Sequence, residues 1–387
     1  MALLRSAIAR GGPLAVLIAV AVSVGPAARG GHELPVYPSY YPHEIAISVV
    51  GAKAAARGLR DGGIHAFVGE MGEFAPGPGE PVGSIASLGA WVLIKTNPAS
   101  PLARDQAGAC RLAATLFADM RHSGAQLILH PYPVTPLHGD YLFHADLAAA
   151  ALARLAASAE APAQGVKVRA EGALAKGLIR PDWRATADGW DASVTAVDAG
   201  ALVAAATSAS NALLAPRWVR EGWYHAYRLL SENLADAAGG RRATDDLERL
   251  MAGDYDNSVE RINRQRDLVT ALTAGCRVLV AGYTLKREFF NAEFSAGVEN
   301  IGYDALTGFA SPIFLRTVKL KDFPWNGWLR LGIDAPAHAA WNPVAGFDDP
   351  FGRLMWFAIG DPALLPSPYD AGWTLNRFSD VAATPRP

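Results

Sequence analysis

The sequence predicts a two-lobed α/β protein: a mixed sheet covered by helices, a helix-rich second half, and an aromatic, loop-rich C-terminal region. Three observations predict it. Short β-branched stretches alternate with single helical stretches over residues 44–157, the pattern of a parallel or mixed sheet. Helical periodicity then dominates from residue 197 to residue 273. Finally, 387 residues of which 51% are hydrophobic are enough to build two lobes of ordinary size.

The elements follow in order. Glu44–Val50 reads as a strand and Lys53–Leu59 as a helix stopped at Asp61-Gly62-Gly63. Ile64–Val68 is strand-like, residues 72–83 are a Gly/Pro loop, and Ala90–Lys95 is a strong strand ended by Asn97-Pro98. Arg104–Arg121 is an amphipathic helix with Leu112, Leu116, Phe117 and Met120 on one face. Gln126–Leu129 is a further strand and Phe143–Ala157 a further helix, which closes an α/β lobe of residues 31–158. Residues 159–166 (AEAPAQGV) read as a linker to a second lobe, 167–387. In it, helices are expected over Val197–Leu214, Trp218–Ala235, Thr244–Met251 and Val259–Thr273, with one strand at Cys276–Ala281.

The N-terminus carries an address. Arg5 and Arg10 precede an apolar run, Pro13–Val24, and small residues follow it up to Gly31, the three parts of a secretory signal. A run of about 12 residues makes roughly 18 Å of helix, short of a bilayer core. Residues 1–30 are therefore expected to direct export to the periplasm and to be cleaved near Gly30. Cleavage would remove Arg5, Arg10 and Arg29 and move the balance from 35 basic and 37 acidic residues further to the acidic side. The slightly positive mean hydropathy, +0.12, owes part of its value to this segment. Charged residues make up only 19%, with no basic excess, which argues against a nucleic-acid partner. In an oxidising compartment Cys110 and Cys276 either pair, stapling the two halves, or remain as two buried thiols.

The order LPVYPSYYPHEI, then GLRDGGIHAFVG, then GAWVLIKTNPASP resembles the first lobe of type II periplasmic solute-binding proteins. The likeness covers about 100 residues. His65 stands where that family usually has Asp, and the helix between the first two strands is shortened. The resemblance implies a ligand cleft lined by the strand and loop near the mature N-terminus.

Four segments are candidates for chemistry. Residues 130–146 hold His130, His138, Asp140 and His144 around three prolines; imidazole and carboxylate suit zinc or copper, or else the segment is a structural loop beside a cleft. Residues 37–44 present Tyr40, Tyr41, His43 and Glu44 as a rigid strip of rings that either lines a pocket or docks the N-terminus on the body. With His65 they form the expected ligand-binding set. Trp325, Trp328, Trp341, Trp356 and Trp373 cluster among aspartates near the C-terminus, as core or as a sugar or cation site. Glu293 and Glu299 are either an acid–base pair or solvated and salt-bridged carboxylates.

No Gly-x-Ser-x-Gly, His-Glu-x-x-His, P-loop or haem-attachment motif occurs. The expected function is an exported binder of a small-molecule ligand, without turnover. The rivals are an exported metal-dependent enzyme, hydrolase or oxidoreductase, built on His130–His144, and an accessory subunit of a periplasmic redox enzyme whose C-terminal tryptophans dock on that periplasmic or membrane protein partner.

Overall fold

The computed structural model describes residues 40–376 except 41, 124–125, 158–164, 186–188, 208–216, 235–239, 326, 338–348, 360–363, 369 and 371. The strands, in chain order, begin with β1 (Glu44–Val49), β2 (Ala66–Val68), β3 (Val82–Thr96) and β4 (Ile128–Leu129). They continue with β5 (Val168–Ala170), β6 (Ala192–Asp198) and β7 (Val278–Asn291). The C-terminal ones are β8 (Val298–Glu299), β9 (Lys319–Leu320), β10 (Trp328–Ile333), β11 (Leu364–Pro366) and β12 (Trp373–Leu375). The helices start with α1 (Ala52–Asp61), α2 (Gln106–Met120), α3 (Ala145–Ala157), α4 (Gly172–Leu178) and α5 (Ala199–Thr207). After them come α6 (Gly222–Leu230), α7 (Gly240–Ala252), α8 (Ser258–Thr273), α9 (Pro312–Thr317) and α10 (Pro350–Ile359).

Eight strands form one mixed sheet in the order β1-β10-β2-β7-β3-β6-β5, with β4 beside β7. The expected class, a mixed sheet covered by helices, is the one observed. Pairs β1–β10, β10–β2 and β5–β6 are parallel; β2–β7, β7–β3 and β3–β6 are antiparallel. The local reasons are conventional ones. Helix α1 buries Ala55, Ala56 and Leu59 and ends at Gly62, whose φ of +76° few other residues tolerate. Asp105 caps α2 and Asn257 caps α8 through their side-chain oxygens.

Strands β3 and β7 are 15 and 14 residues long, and they cross the molecule as a pair. Their register breaks between Leu88 and Trp91. There the Ala90 N–H donates to Thr284 Oγ1 at 3.0 Å, and a Cβ on Gly89 would come within 2.7 Å of that hydroxyl. The hydrophobic core divides at the same place. On one side Ile85 packs with Leu329, Leu331 and Phe314, and Phe289 with Phe67 and Leu59. On the other, Trp91 and Val280 pack with Trp223 and Leu268. The opposite face of the sheet there joins Val92 and Ile94 to Leu116 and Ala281.

The lobes are thus not consecutive in sequence. One takes β1, β2 and β10 from the two chain ends; the other takes the middle of the chain. On either side of the expected linker, Leu155, Val166 and Val168 share one cluster; residues 158–164 lie outside the described ones. Cys110 and Cys276 are disulfide-bonded with Cα atoms 5.0 Å apart. The bond ties α2 to the chain entering β7, and so staples residues from the two sides of the expected linker. Among the described residues no helix is long and apolar enough to cross a membrane.

Candidate ligand cleft between the lobes

Strands β1, β10 and β2 run the same way, and the carboxyl ends of β2 and β10 meet the crossing pair β3–β7. In open α/β sheets such ends, where neighbouring connections diverge, leave a crevice that ligands occupy. A cleft of about 530 Å³ lies there, within the range of small-molecule sites. Gly69 and Glu70 follow β2 into it, Asp334 follows β10, and Leu88 and Lys286 form the part contributed by the crossing strands. The middle lobe supplies Asp198 and Ala201 at the start of α5. Asp349, before α10, and the loop around Leu306 and Thr307 complete the walls.

A buried carboxylate organises this end of the sheet. Glu288, fully buried, accepts the Gly69 N–H on Oε1 at 3.2 Å and the Phe309 N–H on Oε2 at 2.8 Å. Lys286 Nζ lies 3.0 Å from Oε1. Burial pushes the Glu288 carboxyl upward, and the Lys286 ammonium and two peptide N–H groups oppose that push. Two glycines make the approach possible. A Cβ on Gly308 (φ +66°) would lie 1.8 Å from Glu288 Oε2, and one on Gly69 (φ +150°) 2.7 Å from Asp334 Oδ2.

The loop that closes the cleft is pinned through Asp304. Its Oδ1 accepts the Leu306 N–H at 2.8 Å and the Thr307 N–H at 3.1 Å. Arg220, from the middle lobe, pairs with Oδ2 of Asp304 and donates to the Ser367 carbonyl at 3.1 Å. Beyond Leu306, a second hollow of about 220 Å³ is lined by Arg220, His138 and Asp370. Two of the cleft aspartates also cap helices. Asp198 Oδ1 accepts the Ala201 N–H at 2.6 Å, and Asp349 Oδ1 accepts those of Phe351 and Gly352 at 2.9 and 2.8 Å.

Of the residues expected to line a cleft, Tyr40, His43, Glu44 and His65 are not among the described residues lining this one. Tyr40 is half-buried with its ring centroid 4.7 Å from that of Trp325, and Tyr41 lies outside the described residues. His43 and Glu44 are exposed at the start of β1, the end away from the cleft. His65, just before β2, is buried, accepts the Arg330 N–H on Nδ1 at 3.1 Å, and has the Arg330 guanidinium 2.9 Å from Nε2. Burial first, and the Arg330 charge second, lower its pKa to about 4.

The expected metal ligands do not converge. Among the described residues no group of three His, Cys, Asp or Glu side chains is placed to hold a metal ion. His130 Nε2 bonds the Val134 carbonyl at 2.9 Å, and His144 Nδ1 bonds the Tyr132 hydroxyl at 3.0 Å. Asp140 accepts the Gly222 and Trp223 N–H groups at 2.9 and 3.4 Å, which caps α6. The Thr135 N–H donates to His138 Nδ1 at 3.0 Å, so the proton of neutral His138 sits on Nε2 and is donated to His225 Nδ1 at 2.9 Å. His225 Nε2 then donates to the Val219 carbonyl at 2.9 Å. This run of hydrogen bonds joins the Pro-rich loop to α6 beneath Trp91. The Thr135 peptide N–H takes the Nδ1 lone pair of His138, and His138 takes that of His225.

Other candidates resolve simply. Glu293 accepts from Ser295 and Ala296 within its own turn, and Glu299 pairs with Lys319 at 2.6 Å. Trp325 and Trp328 are exposed rather than core; Trp341 and the side chain of Trp356 lie outside the described residues. The cleft residues Glu70, Asp198, Lys286 and Asp334 escaped sequence reasoning as a set. The available signal was an acidic residue directly after a buried strand, in Val68-Gly-Glu70 and Ile333-Asp334.

No family model matches the chain, and no curated protein does. Among solved structures the chain is similar to HbpA2 from Haemophilus parasuis, at 13% identity and a TM-score of 0.40, covering 70% of this chain and 56% of that one. It is similar to NikZ from Campylobacter jejuni in complex with Ni(L-His), at 12% and 0.32, covering 65% and 56%. A third likeness is to the oligopeptide-binding protein AppA from Bacillus subtilis in complex with a nonapeptide, at 14% and 0.29, covering 67% and 57%. The chain spans little more than half the length of these structures.

Proposed function

We propose that this protein is exported and binds a small ligand in the cleft between its lobes, without turning it over. One observation carries the reading: a cleft of about 530 Å³ at the carboxyl ends of parallel strands, walled by both lobes and spanned by the continuous strands β3 and β7. Such a layout lets a ligand bridge two bodies that pivot at the register break near Gly89. Among the described lining residues there is no Ser, Cys or His, so these walls hold no Ser–His or Cys–His pair. The disulfide supports an oxidising compartment. The N-terminal address points the same way.

The lining also sets the sign of the ligand. Glu70, Asp198, Asp334 and Asp349 line the cleft with Lys286, whose ammonium is already matched by Glu288. A cleft lined by one sign of charge concentrates the opposite one, so the ligand carries an amine or another cationic group. A thermal-shift panel with separate cationic, neutral and anionic arms tests this. Stabilisation by members of the cationic arm is expected. A response confined to anions, or none from the whole panel, would overturn the reading.

A further inference from the structure

The Cys110–Cys276 bond is not sealed in the core. Both residues are half-buried, and Cys276 packs at the edge of the cluster that holds Leu112, Leu116 and Ala281. A cavity of about 150 Å³ lies beside them, and both half-cystines line it. Ala151 and Leu155 of α3, Val278 and Val280 of β7, and Ala274 just after α8 form other parts of its wall. Ala274 is exposed, which puts it at the mouth. The cavity and the ligand cleft share none of their described lining residues. A hollow of this size takes a molecule of a few heavy atoms, as an apolar cavity of about 150 Å³ takes benzene. What this one offers is a reactive wall: a disulfide exchanges with any thiolate that can reach a sulfur.

The surroundings make the two sulfurs unequal. Gln106 Nε2 donates to the Ala274 carbonyl at 3.0 Å, so the amino end of α2 meets the carboxyl end of α8 beside the bond. Cys276 follows that carboxyl end, whose partial negative charge disfavours a thiolate. Cys110 lies in the second turn of α2, nearer the partial positive charge of an amino end. Asp105, the cap of α2, spends its carboxylate on the Gly108 N–H at 2.7 Å. The sulfur better able to carry negative charge is the better leaving group. Attack therefore falls on Cys276 Sγ and expels Cys110.

We propose that this cavity admits small-molecule thiols to the Cys110–Cys276 bond and makes the bond exchangeable in the folded protein. A thiolate forms a bond to Cys276 Sγ, and the electron pair of the broken Sγ–Sγ bond leaves on Cys110, which takes a proton from solvent. A second thiolate attacks the external sulfur of this mixed disulfide and releases Cys276 as a thiolate, which is protonated in turn. Two thiols are oxidised to one disulfide, and the protein bond is reduced by two electrons. The tie between α2 and β7 opens without unfolding.

To test this, 2-mercaptoethanol in excess is added to the intact protein in urea, from none to well below the unfolding midpoint. Loss of the disulfide is followed by alkylation and mass spectrometry. A rate proportional to thiol and flat in urea is expected, because exchange through the cavity needs no unfolding. Ala274→Trp closes the mouth from an exposed position. It is expected to slow reduction at least tenfold when compared at the same fraction of its own urea midpoint. An early quench is expected to find the mercaptoethanol adduct on Cys276 and the alkyl group on Cys110. A rate that climbs with urea from the first addition overturns the proposal, since reduction would then follow unfolding. So does a wild-type rate in Ala274→Trp, or an early adduct on Cys110.

Discussion

Lys286 Nζ stands 3.0 Å from Oε1 of Glu288, and that carboxylate, fully buried, also receives the peptide N–H groups of Gly69 and Phe309. One side chain thereby fixes the end of β2, the crossing strand β7 and the loop that closes the cleft. Glu288→Gln keeps the volume but leaves Lys286 without its counter-charge. Breaking a buried pair on one side costs about 3–5 kcal/mol, and the lower figure applies because Lys286 reaches solvent. A urea midpoint unchanged from wild type would show that the pair organises nothing. Gly308→Ala is expected to be as damaging, since its methyl would occupy the place of Glu288 Oε2.

Stability should fall on acidification, and buried histidines set the direction. His65 and His138 have pKa values lowered from 6.5 to about 4 and about 3, and those of His130, His144 and His225 are lowered as well, in every case chiefly by burial. Below pH 6.5 the unfolded chain takes up protons that the folded one refuses, so stability present at neutral pH is lost as the pH falls. Each such histidine contributes up to about 1.4 kcal/mol per pH unit until its folded pKa is reached. Glu288, with a raised pKa, acts in the opposite sense and offsets part of the loss. The melting temperature is expected to drop steeply between about pH 7 and pH 5; a flat or rising profile would contradict the neutral His138–His225 pair.

Reducing the disulfide should weaken the middle lobe. Its 166-residue separation gives about 5 kcal/mol by loop entropy, and measured values run at about 2–4 kcal/mol. Paired Cys110→Ser/Cys276→Ser should show that loss in chemical denaturation. An unchanged midpoint would mean the bond constrains little.

Arg220 and Asp304 clasp the middle lobe to the loop beside the cleft, and both are largely buried. Arg220→Ala removes the charge partner of Asp304 and the guanidinium N–H that reaches the Ser367 carbonyl. A loss of about 2–4 kcal/mol is expected. Ligand affinity should fall with it, because Asp304 shapes the turn carrying Leu306 and Thr307 into the cleft. Equal stability and affinity in the variant would remove the clasp from the account.

Much of the first lobe was legible because its periodicities are local. The strand at Glu44–Val49, helix α1 and helix α2 fall where alternation, the Gly62 stop and the Leu112–Phe117 face place them. Strand β10 was missed although Leu329, Leu331 and Ile333 alternate with Trp328 and Arg330. Its flanks are Gly-, Pro- and Trp-rich, and its partner β1 lies some 280 residues earlier in sequence. The expected strand stops at Ala281, short of the outer half of β7, where Lys286 and Glu288 interrupt the apolar pattern because they are the cleft's ion pair. The histidines drew attention by their density. What they do depends on His225, which only the fold brings to His138.

The central claim is that ligand enters between the lobes, and a plug tests it most directly. Ala201 lines the cleft on the first turn of α5 with its side chain exposed, so a larger residue there fills the cleft without disturbing the core. Calorimetric titration of Ala201→Trp, with the cationic ligand that most stabilises the wild type, should show affinity reduced at least tenfold, about 1.4 kcal/mol. The melting temperature without ligand should stay that of wild type. Wild-type affinity in the plugged protein would place the ligand elsewhere and contradict the account.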